Sequence, residues 1–456
     1  MPSSHKKAVL HLTIAAVLVV VASPASPARA ESVMTGELPR SAELGFDVEG
    51  SDGGLQVAEI EPDSPAARAG LREGDLVVAV GGRSFEKDYV GRDLLRRLDG
   101  GRPGTLTVER DGERVEVTFT PEPRPLEELD GVDSIYGVVE TPDGARLRTI
   151  VTRPEDAEGP LPAIFFTQWV SCDSVELNLP GAWREVMRGV AERSGAVMIR
   201  VERSAGGDSE GPGCHELDFD TEVAHYRHAF EELVRSEHVD PERVVIWGNS
   251  LGGLTAPLVA RGHEVDGMIV GGAGALTYFE RMLQFDRIGF ERTGVDPREL
   301  HERMVRHARF HHEYLLEGKT PEEIVEEHPD LSDVWGQMRG TGDGVHYGRP
   351  YAYHHQAARR DFLEAWVDVE APVLVLFNRF DQFERPHGHR LIADTLDRLR
   401  PGSVRYVELP NTGHSYYVYP SIEDAANWTN RDPAPEMGIG AILDWLDEVV
   451  GVEPDG

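Results

Sequence analysis

The chain has 456 residues, with 46 basic and 80 acidic side chains, a formal charge of -34, 40% hydrophobic residues and 28% charged ones. That length suggests two or three domains, each with its own core, and the mix is globular rather than disordered. The acid excess excludes a nucleic-acid binder, which needs a basic surface for phosphates, and a protein that docks on anionic membrane.

The N-terminus reads as a leader. His5-Lys6-Lys7 is a basic start, Ala8 to Ala22 an apolar run, and Ala28-Arg29-Ala30 a small-x-small cleavage site before Glu31. The run is shorter than the roughly 20 residues that span a bilayer. Residues 1–30 are therefore a predicted signal peptide, and the protein is expected to be exported, periplasmic or extracellular, with no membrane attachment after cleavage. An oxidising compartment makes the only cysteines, Cys172 and Cys214, a predicted disulfide. Each follows a predicted strand, Ala163–Thr167 and Ala196–Val201, and the two loops emerge side by side if those strands are neighbours.

Residues 41–123 alternate short strands with glycine turns. Leu55–Ile60 is a strand, Pro65 opens a helical turn that Gly70 closes, and Gly74 to Gly82 is a strand ending in a turn. Asp88 to Leu98 has leucines at helical spacing, and Asp111-Gly112 joins Thr105–Arg110 to Glu113–Thr120 as a hairpin. The run Ser64 to Gly82, S-P-A-A-R-A-G-L-R-E-G-D-L-V-V-A-V-G-G, resembles the core signature of bacterial-type PDZ domains. The resemblance implies a groove in which a peptide adds as a strand, its terminal carboxylate on backbone N–H groups of Leu44-Gly45-Phe46. Prolines 121, 123 and 125 lead into a linker over residues 124–132.

From Asp133 onward, strands alternate with helices, the α/β pattern. Arg243–Trp247 is an apolar strand, and Gly248-Asn249-Ser250-Leu251-Gly252 follows it and precedes a helical stretch to Arg261. That is a nucleophile elbow with Ser250 at its tip. A second G-x-S-x-G, Gly207 to Gly211 around Ser209, has no helix after it and reads as loop. A serine nucleophile needs a base and an orienting acid. Val373–Phe377 runs to Asp381, with Glu384 as the competing acid, and Val404–Leu409 runs to His414. The order Ser250, Asp381, His414 resembles the α/β-hydrolase superfamily over residues 133–456. The resemblance implies a mostly parallel sheet and an oxyanion hole from the N–H of Leu251 plus one in the loop after Ala163–Thr167. That loop reads Gln168-Trp169-Val170, so Trp169 or Val170 is the second donor. The run from Arg203 to Gly211 is similar to the R-G-x-G-x-S-x-G loop of exported esterases and acyl- or dipeptidyl-peptidases, with Ser204 at the first glycine.

Between about residues 274 and 366 amphipathic helices replace the strands, which predicts a helical cap that shapes the substrate pocket. His307 and His311 lie four apart on one helix, but no zinc-hydrolase glutamate accompanies them and arginines surround them, so no metal is expected. No cofactor is needed. The sequence thus predicts a serine hydrolase acting on small-molecule esters or peptides. Esterase is favoured, a peptidase holding the substrate amine with Glu322, Glu323, Glu326 or Glu327 is the alternative, and a non-catalytic PDZ-based binding protein is a third reading.

Overall fold

The computed structural model describes residues 37–452, so the leader predicted over residues 1–30 lies outside the described residues. The first unit is an antiparallel sheet with strand order Phe46–Ser51, Gly54–Ile60, Leu76–Val80, Gly104–Arg110, Glu113–Phe119, and Arg83–Ser84 paired to the third. Asp111 and Gly112, both at positive φ, turn the last hairpin. Ser64 caps the short helix Pro65–Arg68 by accepting the N–H of Ala67. Helix Asp88–Arg96 packs Leu94 and Leu95 on Leu55, Val77 and Leu106, which leaves Phe46–Ser51 as the edge strand. This is the PDZ fold.

The second unit is built on one eight-stranded sheet. Its strands are β1 (Val132–Glu140), β2 (Arg146–Pro154), β3 (Leu161–Thr167), β4 (Val197–Val201), β5 (Val239–Asn249), β6 (Gly267–Gly271), β7 (Val373–Asn378) and β8 (Val404–Leu409). They lie in the order 1-2-4-3-5-6-7-8. Strand β2 is antiparallel to β1 and β4, and β3 to β8 are parallel. The parallel strands read as unbroken apolar runs because helices cover both faces. Helices Phe219–Leu233, Gly252–Ala260 and Pro386–Leu399 bury Phe230, Leu254 and Ile392 on one side. Helices Ala182–Arg193 and Pro435–Val450 bury Val186, Ile442 and Trp445 on the other. The α/β-hydrolase fold expected from the elbow, preceded by a PDZ domain, is the architecture found.

Between β6 and β7 the chain builds helices over the sheet, among them Tyr278–Arg292, Pro297–His311, Pro321–Glu327 and Tyr351–Ala358. Thr277 and Glu280 form a reciprocal capping box that starts the first, and Thr320 with Glu323 starts the third. Strands β3 and β4 are neighbours, so their following loops meet, and Cys172 and Cys214 are disulfide-bonded with Cα atoms 5.9 Å apart.

The two domains are held by buried charge. Asp208 accepts from Arg40 at 2.6 Å and from both the backbone and hydroxyl of Ser41 at 2.8 and 2.9 Å. His215 meets Asp93 on the PDZ helix at 2.5 Å, and Tyr89 from the same helix donates to the carbonyl of Asp343 in the cap. The segment between the domains is anchored too, because buried Glu127 pairs with the fully buried Arg200.

Candidate active site

The turn after β5 holds Ser250 at φ +54°, a left-handed conformation that a residue other than glycine adopts only where its surroundings impose it. Its N–H donates to the carbonyl of Gly271 on β6 at 2.7 Å, and helix Gly252–Ala260 begins two residues later. The hydroxyl therefore projects from the carboxyl edge of the sheet. His414, in the loop after β8, has Nε2 2.9 Å from Ser250 Oγ and Nδ1 2.7 Å from Asp381 Oδ2. Ser250, His414 and Asp381 thus form one hydrogen-bonded chain across three loops.

Each member has its own support. Asp381 is buried, and its Oδ1 accepts the N–H groups of Phe383 and Glu384 at 2.7 and 2.9 Å, which turns Oδ2 toward the imidazole. The side-chain oxygen of Gln382 accepts the N–H of His414 at 2.9 Å, Asn378 donates to the carbonyl of Gly413, and Phe383 packs edge-on against the ring. Burial works against both charged forms, yet their attraction outweighs it. Asp381 is held below the usual carboxylate range and His414 is raised above the ordinary imidazole value. Glu384, the competing acid, turns away and pairs with buried Arg281 at 2.6 Å.

A cavity of about 200 Å³ opens at Ser250. It is lined by Leu251, Trp169, Val170, Trp183 and Phe383. The cap contributes Tyr278, Arg281, Met282, Phe285 and Tyr347. Among the described residues that line it there is no carboxylate, and its one formal cation, Arg281, is neutralised by Glu384. The loop carrying Trp169 and Val170 is pinned from behind: Arg203 donates to the carbonyls of Gln168, Val170 and Ser171 at 3.2, 3.0 and 2.7 Å. Because the peptide unit is planar, fixing these carbonyls also fixes the N–H groups joined to them. Sequence reasoning named Arg203 only as part of a loop motif; the signal for its role is an arginine two residues past the end of strand β4. Ser209, in that same motif, is structural: its hydroxyl donates to the carbonyl of Glu202 and accepts the N–H of Arg148.

The cap histidines find a partner that sequence reasoning missed. His307 Nδ1 and His311 Nε2 both lie 2.8 Å from one oxygen of Asp286, and all three residues are buried. Burial pushes that carboxyl up, but its two imidazole hydrogen bonds outweigh the effect and hold it below its usual range. A metal there would need an acceptor for each imidazole's outer N–H. Among the described residues His307 Nε2 and His311 Nδ1 have none, and the same two atoms stay unpartnered in the hydrogen-bonded tie that these side chains make between two cap helices. The glutamates 322, 323, 326 and 327 do not line the cavity: Glu323 completes its helix cap, Glu322 accepts from Tyr351 and Glu327 pairs with Lys319.

The PDZ loop lies at one end of a separate cleft of about 780 Å³ that includes Leu44, Gly45 and Phe46. Gly45 has φ +70°, and a Cβ there would sit 2.5 Å from that of Ser64, so this loop requires glycine.

A family model described as "Alpha/beta hydrolase family" matches residues 169–425, and one described as "PDZ domain" matches residues 42–120. Among curated proteins, the "Probable periplasmic serine endoprotease DegP-like" of Halomonas elongata is 39% identical over 67 residues, 15% of this chain and 14% of that protein. Serine protease HTRA1 of Xenopus tropicalis is 30% identical over 93 residues, 20% of each chain. The chain thus spans a fifth or less of the length of these two relatives. Among solved structures, a Pyrococcus furiosus esterase has 10% identity and a TM-score of 0.42, over 72% of this chain and 97% of that one. A thermostable esterase of Pseudomonas putida has 17% identity and a TM-score of 0.39, over 72% and 86%.

Proposed function

Because this chain belongs to the alpha/beta hydrolase family, we propose that it is an exported serine hydrolase that cleaves carboxylic esters at Ser250. The observation that carries the reading is the hydrogen-bonded run Ser250–His414–Asp381 opening on a largely apolar cavity. His414 Nε2 takes the hydroxyl proton as Ser250 Oγ attacks the acyl carbon. Asp381 holds Nδ1–H and stabilises the imidazolium. The oxyanion rests on the N–H of Leu251 and on one from Trp169 or Val170. The imidazolium then protonates the leaving alkoxide, and a water activated by His414 releases the acid from the acyl-enzyme.

The cavity favours esters over peptides with a free amine. An ammonium group held beside the scissile bond needs a carboxylate, and those lining residues offer tryptophan, phenylalanine, tyrosine and methionine instead. A buried cation without a partner is costly, so a neutral acyl group of modest size, aromatic or short aliphatic, is the expected substrate. Export is supported by the leader pattern and the disulfide, and N-terminal sequencing of the mature protein should begin at Glu31.

Two measurements test the reading. A fluorophosphonate probe should label the wild type and not Ser250→Ala; equal labelling of both refutes the nucleophile. In a panel of p-nitrophenyl esters and aminoacyl or dipeptidyl anilides, kcat/KM should be higher for the esters of small aromatic or short acids. Faster anilide cleavage would assign a peptidase.

A further inference from the structure

Two cap side chains bring unengaged polar groups to the cavity at Ser250. Arg281, on helix Tyr278–Arg292, lines the cavity yet is only 4% exposed. Its Nε donates to Glu384 at 2.6 Å, and its guanidinium lies 4.9 Å from the centre of the Phe285 ring. Among the described residues its two terminal nitrogens have no hydrogen-bond partner. Leaving such donors unmet away from water is costly.

Tyr347 supplies the second group. It takes the first turn position of the two-residue hairpin joining Val345–His346 to Arg349–Pro350, at φ +52°, with Gly348 following at +73°. Turns of this kind favour asparagine, aspartate or glycine there, and a tyrosine is strained. It is nonetheless firmly placed. Its N–H donates to the carbonyl of Gly340 at 2.6 Å, its ring stacks on His346 with centroids 4.7 Å apart, and a Cβ on Gly340 would lie 2.4 Å from the ring. The side chain lines the cavity, and its hydroxyl has no hydrogen-bond partner among the described residues. Backbone strain held by this many contacts points to a side chain kept for what it meets. Tyr278, by contrast, has its hydroxyl engaged by His354 at 2.8 Å.

The chemistry of the two groups selects a ligand atom. A guanidinium only donates, so what it meets is an acceptor, and Tyr347, within electrostatic reach of Arg281, can donate to the same group. Glu384 already balances the arginine. A substrate carboxylate would bring a second negative charge beside it into a buried site, whereas an ether or carbonyl oxygen brings none. The position selects the half of the ester. Both Arg281 and Glu384 act electrostatically on the His414 imidazole, and Phe383, next to Glu384, packs edge-on against that ring. His414 delivers its proton to the leaving oxygen, so groups on its side meet the alcohol portion.

We propose that Arg281 and Tyr347 are specificity-determining residues, which select esters whose alcohol portion carries a neutral acceptor oxygen, ether or carbonyl, beyond the scissile bond. The acyl portion remains the neutral group inferred above, and the proposal rests on that esterase reading of the site.

The test uses benzoate esters in isosteric pairs, 2-methoxyethyl against butyl and 3-methoxypropyl against pentyl, with benzoate release followed by chromatography. Each kcat/KM is divided by the hydroxide rate of the same ester, which removes intrinsic reactivity. An apolar pocket alone prefers the alkyl member. The wild type should instead prefer the ether in at least one pair by about tenfold, and should cleave carboxymethyl benzoate about tenfold or more slower than that ether. Tyr347→Phe should lower the preference severalfold. Arg281→Met combined with Glu384→Met, which leaves no unpaired charge, should bring the ratio to one or below. General damage lowers both members of a pair alike and leaves their ratio, so the ratio reports recognition. The same preference is read without turnover in the Ser250→Ala background, as Kd values from quenching of Trp169 and Trp183 in the cavity. A wild-type ratio at or below one in both pairs, a ratio unmoved in both variants, or faster cleavage of the carboxymethyl ester overturns the proposal. An ether preference found only between ethyl methoxyacetate and ethyl butanoate overturns its placement in the alcohol portion. Ether-selective binding without cleavage of any ester counts against the catalytic reading alone.

Discussion

Gly252→Ala should separate catalysis from folding at the elbow. A Cβ at Gly252 would lie 2.0 Å from the carbonyl oxygen of Thr167, 2.6 Å from its carbon and 2.9 Å from the carbonyl oxygen of Gln168. These are backbone atoms at the end of β3, where no rotamer change gives relief, and Thr167 Oγ1 further ties the strand to the Gly252 carbonyl at 2.9 Å. Reaching an ordinary contact of at least about 3 Å therefore needs roughly 1 Å of separation between the helix start and the Gln168–Val170 loop. That movement pulls apart the two backbone regions that carry the proposed oxyanion donors. Misplacement by 1 Å costs about 10²-fold, and loss of one donor about 10²–10³. We expect kcat on p-nitrophenyl acetate to fall by about 10²–10³ with KM changed far less, and stability to fall by about 1–3 kcal/mol. Gly253→Ala is the control. Its Cβ meets the side chains of Val270 and Ala273 at 2.7 and 2.8 Å, so it should lose stability while kcat stays within about tenfold. Circular dichroism and thermal melts establish that each variant is folded. A folded Gly252→Ala enzyme with kcat within about threefold of wild type would refute the oxyanion geometry proposed here.

Because His414 must be neutral to act as base and its pKa is raised, kcat/KM should climb with pH along a limb centred above the ordinary imidazole value of about 6.5; a midpoint below that value contradicts the Asp381 pairing. The same raised pKa makes the contribution of His414 to stability complete below its unfolded value and lost as pH rises through the folded one, opposite in sense to activity, whereas the share of Asp381, whose pKa is lowered, is lost at acid pH as pH falls through its folded value. Asp381→Asn should lower kcat by about 10⁴, whereas Glu384→Gln, which strips Arg281 of its ion-pair partner, should keep kcat within about tenfold and cost roughly 3 kcal/mol of stability. Replacing both cysteines, whose bridge spans 42 residues, should lower unfolding free energy by about 4 kcal/mol in denaturant titrations. Burial, aided by Asp208 and Glu176, pushes the Glu202 carboxyl up to about 8. An acid with a raised folded pKa destabilises increasingly as pH climbs from its unfolded value toward the folded one. Glu202→Gln should therefore stabilise the protein between about pH 5 and 8, by up to about 4 kcal/mol at the upper end, and a gain confined to acid pH would refute this.

What the amino-acid sequence made legible was what short-range physics determines. An apolar strand, a glycine-flanked serine and a following helix specify the elbow within about twenty residues, and Asp381 and His414 each sit just beyond a run of strand residues. Asp111-Gly112 and Ser64-Pro65 did the same for the PDZ domain. The illegible parts are pairs joined only by the fold. Arg281 meets Glu384 across 103 positions, so nothing local showed that Glu384 was already engaged and that Asp381 faced the imidazole alone. Asp286 reaches His307 and His311 from another helix, across 21 and 25 positions, and turns a metal-like spacing into a hydrogen-bonded tie. Trp183 and Arg184 are adjacent on one helix, unremarkable there, yet they stand between the cavity at Ser250 and the PDZ cleft. A short linker would have served to tether two independent modules. Instead Asp208, in the loop after β4, takes three hydrogen bonds from Arg40 and Ser41. Arg203, at the start of that same loop, holds the carbonyls behind Trp169 and Val170. One loop therefore holds both the position of the PDZ domain and the backbone beside Ser250.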